Sequence, residues 1–177
     1  GAAAELVAKL GAKAEIAREL AYRLYTLCER KKRAAEALAY DIGSGVTDYA
    51  DAGALAISAG VDPHQLQPAL RAILAEIATL RETLVPPDEL AKAKAYVSGG
   101  LELRMEETRH LASWIGGQEA LHERVYTLDE ALAAVEAVSA EDVRKLAGEL
   151  FLDERLRLAV VAPARLARGL ERALRLP

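Results

Sequence analysis

Between Leu38 and Val61 the apolar residues stop recurring at every third or fourth position and recur at every second. Leu38, Tyr40 and Ile42 alternate with Ala39, Asp41 and Gly43, and Leu55, Ile57, Ala59 and Val61 alternate with Ala54, Ala56, Ser58 and Gly60. Successive side chains of a strand point to opposite faces, so strands over 38–47 and 53–61 fit this pattern and a helix does not. The link from Thr47 to Gly53 is polar and ends in glycine, which makes an antiparallel hairpin the simplest connection. One face of the second strand carries only Ala54, Ala56, Ser58 and Gly60, implying that a helix or another backbone approaches it closely.

Helical spacing governs most of the remainder. Ile16, Leu20, Leu24, Leu27 and Cys28 form one stripe of a long helix from Ala12 to about Glu36, set off by Gly11. Asp62-Pro63 supplies an N-cap and a first-turn proline for a helix with the stripe Leu66, Leu70, Ile73, Leu74, Ile77 and Leu80. Pro86 and Pro87 close that region, and Asp88 and Glu89 open a helix through Leu90, Ala93, Val97, Leu101 and Met105 with a soft spot at Gly99-Gly100. Gly116-Gly117 is expected to interrupt the next helical stretch, which holds Leu111, Trp114 and Ile115. Thr127 with Glu130, and Ser139 with Asp142, have the spacing of capping boxes. Leu156 to Val161 reads as a third strand, 156–161, and Pro163 begins a basic amphipathic helix through Leu166, Leu170 and Leu174.

The fold class that follows is α+β: an antiparallel sheet of about three strands covered by helices, with a long N-terminal helix. One domain over 1–177 is expected, comprising a helical segment 1–37, an α+β segment 38–163 and a C-terminal helix 164–177. At 52% hydrophobic residues the chain can bury one core. Lys plus Arg number 23 against 27 Asp plus Glu, and no basic face tracks a phosphate backbone, so nucleic acid is not an expected partner. With Cys28 the sole cysteine, neither an intrachain disulfide nor a thiolate metal cluster can form from this sequence. Its place beside Leu24 reads as a packed small hydrophobe, since no histidine is near it in sequence. No basic leader with an apolar run and no ~20-residue apolar span occurs, so a soluble, cytoplasmic protein without membrane contact is expected. A sheet this short of strands needs its edges covered, and self-association into a homodimer is expected to cover them.

Several phrases from Leu38 to about Pro163 resemble the pitrilysin/insulinase family of zinc peptidases, which includes the mitochondrial processing peptidases. They are Leu38-Ala39-Tyr40, the strand from Gly53 to Gly60, Asp62-Pro63, Thr127-Leu128-Asp129-Glu130, Ser139-Ala140-Glu141-Asp142-Val143 and Leu158-Ala159-Val160-Val161. The match is most like the second, non-catalytic lobe of that family. The resemblance implies an antiparallel sheet backed by helices, and it implies that Arg33 and Tyr40 match a family pair seven positions apart that helps hold the substrate backbone or a tetrahedral intermediate in a neighbouring catalytic lobe.

The family's metal motif, H-x-x-E-H, places two histidines on one helix face to hold zinc and a glutamate to activate water. It does not occur here, where the histidines are His64, His110 and His122. Glu107 with His110, and Glu119 with His122, have the Glu-x-x-His spacing of di-iron carboxylate bundles, yet lack the two further carboxylates such a site takes from other helices. Surface histidines on amphipathic helices are the plainer reading, and neither metal nor cofactor is expected. The stretch Ala17 to Lys31 resembles a helical region of bacterial methyltransferase-like proteins associated with phage defence, which also runs into Leu-Ala-Tyr. Ala37 stands where the peptidase family has glycine, so a junction between two origins is expected near Ala37 to Tyr40. The functional expectation is a non-enzymatic, engineered or chimeric structural domain built on a zinc-peptidase-like lobe. The alternative is an accessory lobe that helps bind peptide for a separate catalytic lobe.

Overall fold

The computed structural model describes residues 39–48, 53–122 and 125–177. Strand β1, Asp41–Asp48, pairs antiparallel with β2, Gly53–Gly60, in the register Ile42↔Ala59, Ser44↔Ile57 and Val46↔Leu55. Ile42 is buried, and Leu55 and Ile57 pack against the main core, so the alternation in the sequence selects the inward face as expected. The opposite face departs from expectation: Ala54, Ala56, Ser58 and Gly60 are exposed, and a side chain added at Gly45 would meet no atom within 4 Å. Small residues there do not mark a close approach among the described residues.

After the hairpin, Asp62 accepts the His64 N–H at 2.7 Å and caps the single 3-10 turn Pro63–Gln65. That turn leads into α1, Leu66–Glu82, whose stripe Leu70, Leu74, Ile77 and Leu80 is buried. Helix α2 covers Pro87–Met105, α3 Thr108–His122, α4 Leu128–Ala137 and α5 Ala140–Leu150. Both capping boxes are present: Glu130 N–H donates to Thr127 Oγ1 at 3.2 Å, and Asp142 N–H donates to Ser139 Oγ at 3.1 Å. In each case the carboxylate returns to the N-cap N–H, which satisfies two backbone donors that a helix start would leave unpaired.

Two clusters form the interior. In the larger, α1 packs against α5 and joins Val85, Val138, Val143, Ala147, Phe151 and Leu170. The smaller consists of Leu101 from α2 with Ala131 and Val135 from α4, and Trp114 and Val97 pack on it. Leu80 and Val143 are each 1% exposed, and burying such a side chain contributes about 1.5–3 kcal/mol. Lys94 ties α2 to α4, because its ammonium donates to the Glu136 carbonyl at the C-terminal end of α4.

Three further sequence expectations change. Gly116-Gly117 does not interrupt α3, which runs through both residues. The expected strand 156–161 has no ladder partner among the described residues, because no neighbouring strand offers its N–H and C=O groups there. It follows a 3-10 turn, Asp153–Arg155, and is extended at Leu156. The C-terminal helix is split into two single turns, α6 Ala164–Ala167 and α7 Leu170–Ala173, by Gly169 at φ 84. The α+β class stands, with two strands among the described residues in place of about three. The expected N-terminal helix and Cys28 lie outside the described residues.

Candidate functional site

The mouth of the hairpin is fixed by one bond beyond the strands: the Tyr40 N–H donates to the Gly60 carbonyl at 2.7 Å. Ala39 just before it is buried, which anchors the chain and turns the Tyr40 side chain outward, where it is 71% exposed. Tyr40 therefore presents a phenol at the open end of a rigid two-stranded ladder. Arg33, its expected companion, lies outside the described residues. Of the two candidates, the structure places one and leaves their separation open.

Of the three histidines, the structure describes the side chains of His64 and His110. His64 is exposed on the capping turn before α1. His110 Nδ1 lies 2.7 Å from Glu107 Oε2, one helical step away, and both side chains are more than half exposed. The Glu-x-x-His spacing thus yields a solvated surface pair at Glu107, as the plainer reading has it. Among the described residues no group of three or more His, Cys, Asp or Glu is placed to hold a metal ion. No helix among them is long and apolar enough to cross a membrane.

One polar arrangement escaped the sequence reading. Trp114 Nε1 donates to the Tyr126 carbonyl at 3.2 Å, while the Tyr126 N–H donates to Gln118 Oε1 at 2.9 Å. A single backbone unit just before the Thr127 cap is clasped from both sides by residues four apart on α3. The spacing of Trp114 and Gln118 was the available signal, since residues four apart share a helix face.

Comparison with known proteins bears on the same region. Residues 1–70 match the profile of a domain of unknown function, DUF8807. That one match runs across the expected junction at Ala37 to Tyr40, so a single sequence pattern covers both sides of it. The chain is 35% identical over 127 residues to an uncharacterized zinc protease, YmxG, of Bacillus subtilis, a span of 72% of this chain and 31% of that protein. An uncharacterized zinc protease of Streptomyces coelicolor is 31% identical over 76% of the chain and 28% of its own length. One from Mycobacterium leprae is 28% identical over 81% of the chain and 32% of its own length. The chain thus spans about a third of the length of the curated relatives it matches. Among solved structures, a chain of complex III2 from Candida albicans with Inz-5 bound superposes with a TM-score of 0.69 at 18% identity, covering 78% of this chain and 36% of that one. Over most of the chain the relatives are thus proteins named zinc proteases, and the structural match shows a shared fold.

Proposed function

We propose that these residues form part of a non-catalytic lobe of a pitrilysin-type zinc peptidase, and that the lobe helps hold peptide for a catalytic lobe carried elsewhere. The observation that carries this reading is the likeness, over most of the chain, to proteins named zinc proteases, joined to a sequence that contains no H-x-x-E-H. Without two histidines on one helix face and a glutamate beside them, there is no means here to bind zinc and deprotonate water in that family's manner. The chain alone is therefore expected not to cleave peptide bonds.

In this reading the Tyr40 hydroxyl supplies a hydrogen-bond donor and Arg33 a fixed positive charge. Both would act on the oxyanion that develops when the partner lobe's water attacks a peptide carbonyl. The exposure of Tyr40 supports this, because an aromatic side chain 71% open to solvent adds little to the core and is free to meet a partner. The chimeric structural-domain reading has less support, since the match over residues 1–70 crosses the junction on which it rests.

The test is reconstitution. The 177-residue chain is mixed with a catalytic lobe bearing an intact H-x-x-E-H, and cleavage of an unfolded peptide is followed with and without chelator. Chelator-sensitive cleavage above that of the catalytic lobe alone, reduced about 100-fold in kcat by Tyr40→Phe or Arg33→Ala, is the expected result. No gain over the lobe alone, or cleavage by the chain alone, overturns the reading.

A further inference from the structure

The segment Leu156–Val161 is built like a strand and pairs with nothing among the described residues. Leu156 and Val160 pack against the same core that receives Leu55 and Ile57 of β2, while Arg157, Ala159 and Val161 are exposed, Val161 fully so at 106%. Leu158, between Leu156 and Val160, is 41% exposed, so the alternation of a half-buried strand holds at the two ends of the segment and not at its centre. The backbone N–H and C=O groups of residues 158–161 make no hydrogen bond among the described residues. Unpaired extended backbone with β-branched and apolar side chains is a template for strand addition.

Charge indicates what it takes. Residues 155–177 hold six arginines against the single Glu171, a net of +5 in a chain whose total is −4. Arg155, Arg157, Arg165, Arg168, Arg172 and Arg175 are all exposed, and none has a carboxylate within ion-pair distance among the described residues. A second copy pairing through this segment would set +5 against +5, so self-addition is disfavoured. A membrane surface would meet the arginines but leave the backbone groups of 158–161 unsatisfied.

We propose that Leu156–Val161 binds an extended acidic peptide by strand addition, with alternate apolar side chains extending the layer beside Leu156 and Val160 and carboxylates meeting the arginines. The inference needs neither Arg33 nor Tyr40 and stands independently of the reading above.

The test uses the full chain with the peptide EVDVEVE and its basic counterpart KVKVKVK. The acidic peptide should bind, should slow hydrogen exchange at residues 158–161, and should weaken at least tenfold with rising salt. Ala159→Pro removes one strand donor at an exposed site and should weaken binding at least tenfold, whereas the paired Arg165→Glu and Arg168→Glu changes should weaken it and flatten its salt dependence. Should Ala159→Pro fail to fold, exchange in the unaltered chain decides. The proposal fails if the acidic peptide does not bind or binds without protecting 158–161, or if the basic peptide binds equally. It also fails if a folded Ala159→Pro chain binds unchanged, if light scattering shows a dimer that Ala159→Pro dissolves, or if anionic phospholipid vesicles alone protect the segment.

Discussion

Lys94 Nζ on α2 donates to the carbonyl of Glu136 in the last turn of α4, joining residues 42 positions apart, and the lysine side chain is only 16% exposed. A cation at a helix C-terminus meets both an unpaired carbonyl and the negative end of the helix dipole. The Glu136 carboxylate, 3.9 Å away and 81% exposed, adds little. Replacing Lys94 by Met keeps the stem and removes the charged donor, and is expected to cost about 1.5–3 kcal/mol. Urea unfolding should show a lower midpoint at unchanged slope. A midpoint like that of the parent would mean that solvent replaces the bond without loss.

The helix starts give a second expectation. At Ser139 the side chain accepts the Asp142 N–H while Asp142 Oδ2 accepts the Ser139 N–H at 3.0 Å. Ser139→Ala leaves the Asp142 N–H without this acceptor and should cost about 1 kcal/mol, whereas Ser139→Gly should cost only a few tenths. Thr127→Ala should behave like Ser139→Ala, because its box has the same geometry. A Ser139→Ala variant as stable as the parent would show that the hydroxyl contributes nothing.

These caps were legible in the sequence because the whole motif fits within four residues and depends on nothing distant. The α1 stripe and the hairpin alternation were legible for the same reason: each is a local period repeated along one face. Gly116-Gly117 was misread because the penalty of roughly 1 kcal/mol per helical glycine is a local quantity, whereas Trp114 and Gln118 hold α3 by gripping Tyr126 from another part of the chain. Leu156–Val161 shows the reverse failure. Its residues have strand character, but a strand also requires a partner backbone, which no local pattern reports. The tail kept part of its leucine stripe, with Leu170 buried and Leu174 on the same core, while Gly169 broke the helix that the spacing implied. At the candidate site the sequence named Tyr40, and the structure added its exposure and its bond to Gly60.

Burial separates two leucines on either side of the α1 terminus. Leu80 is 1% exposed and Leu84 is 54% exposed. Leu80→Ala removes buried methyl groups and leaves a cavity, so it should cost about 2–5 kcal/mol. Leu84→Ala should remain within about 0.5 kcal/mol of the parent. Thermal or denaturant unfolding of the two variants measured side by side checks the packing of α1 against α5, and a similar loss from both would contradict it.

Glycine substitutions should change stability in opposite directions according to backbone conformation. Gly169 sits at φ 84, in the left-handed region, and a side chain there is strained even though no atom lies within 4 Å of the added carbon. Gly169→Ala should therefore destabilise by about 1–2 kcal/mol, and Gly169→Asn by less, since asparagine tolerates that region. Gly99 lies inside α2 with equally open space around it, but in a helical backbone that alanine favours. Gly99→Ala should stabilise by about 0.5–1 kcal/mol, chiefly by restricting the unfolded chain. Space is the same at both sites and only φ differs, so melting temperatures moving in opposite directions would tie the effect to the backbone. If both variants lost stability, α2 would have to depart from regular helix at Gly99-Gly100, the soft spot that its sequence suggests.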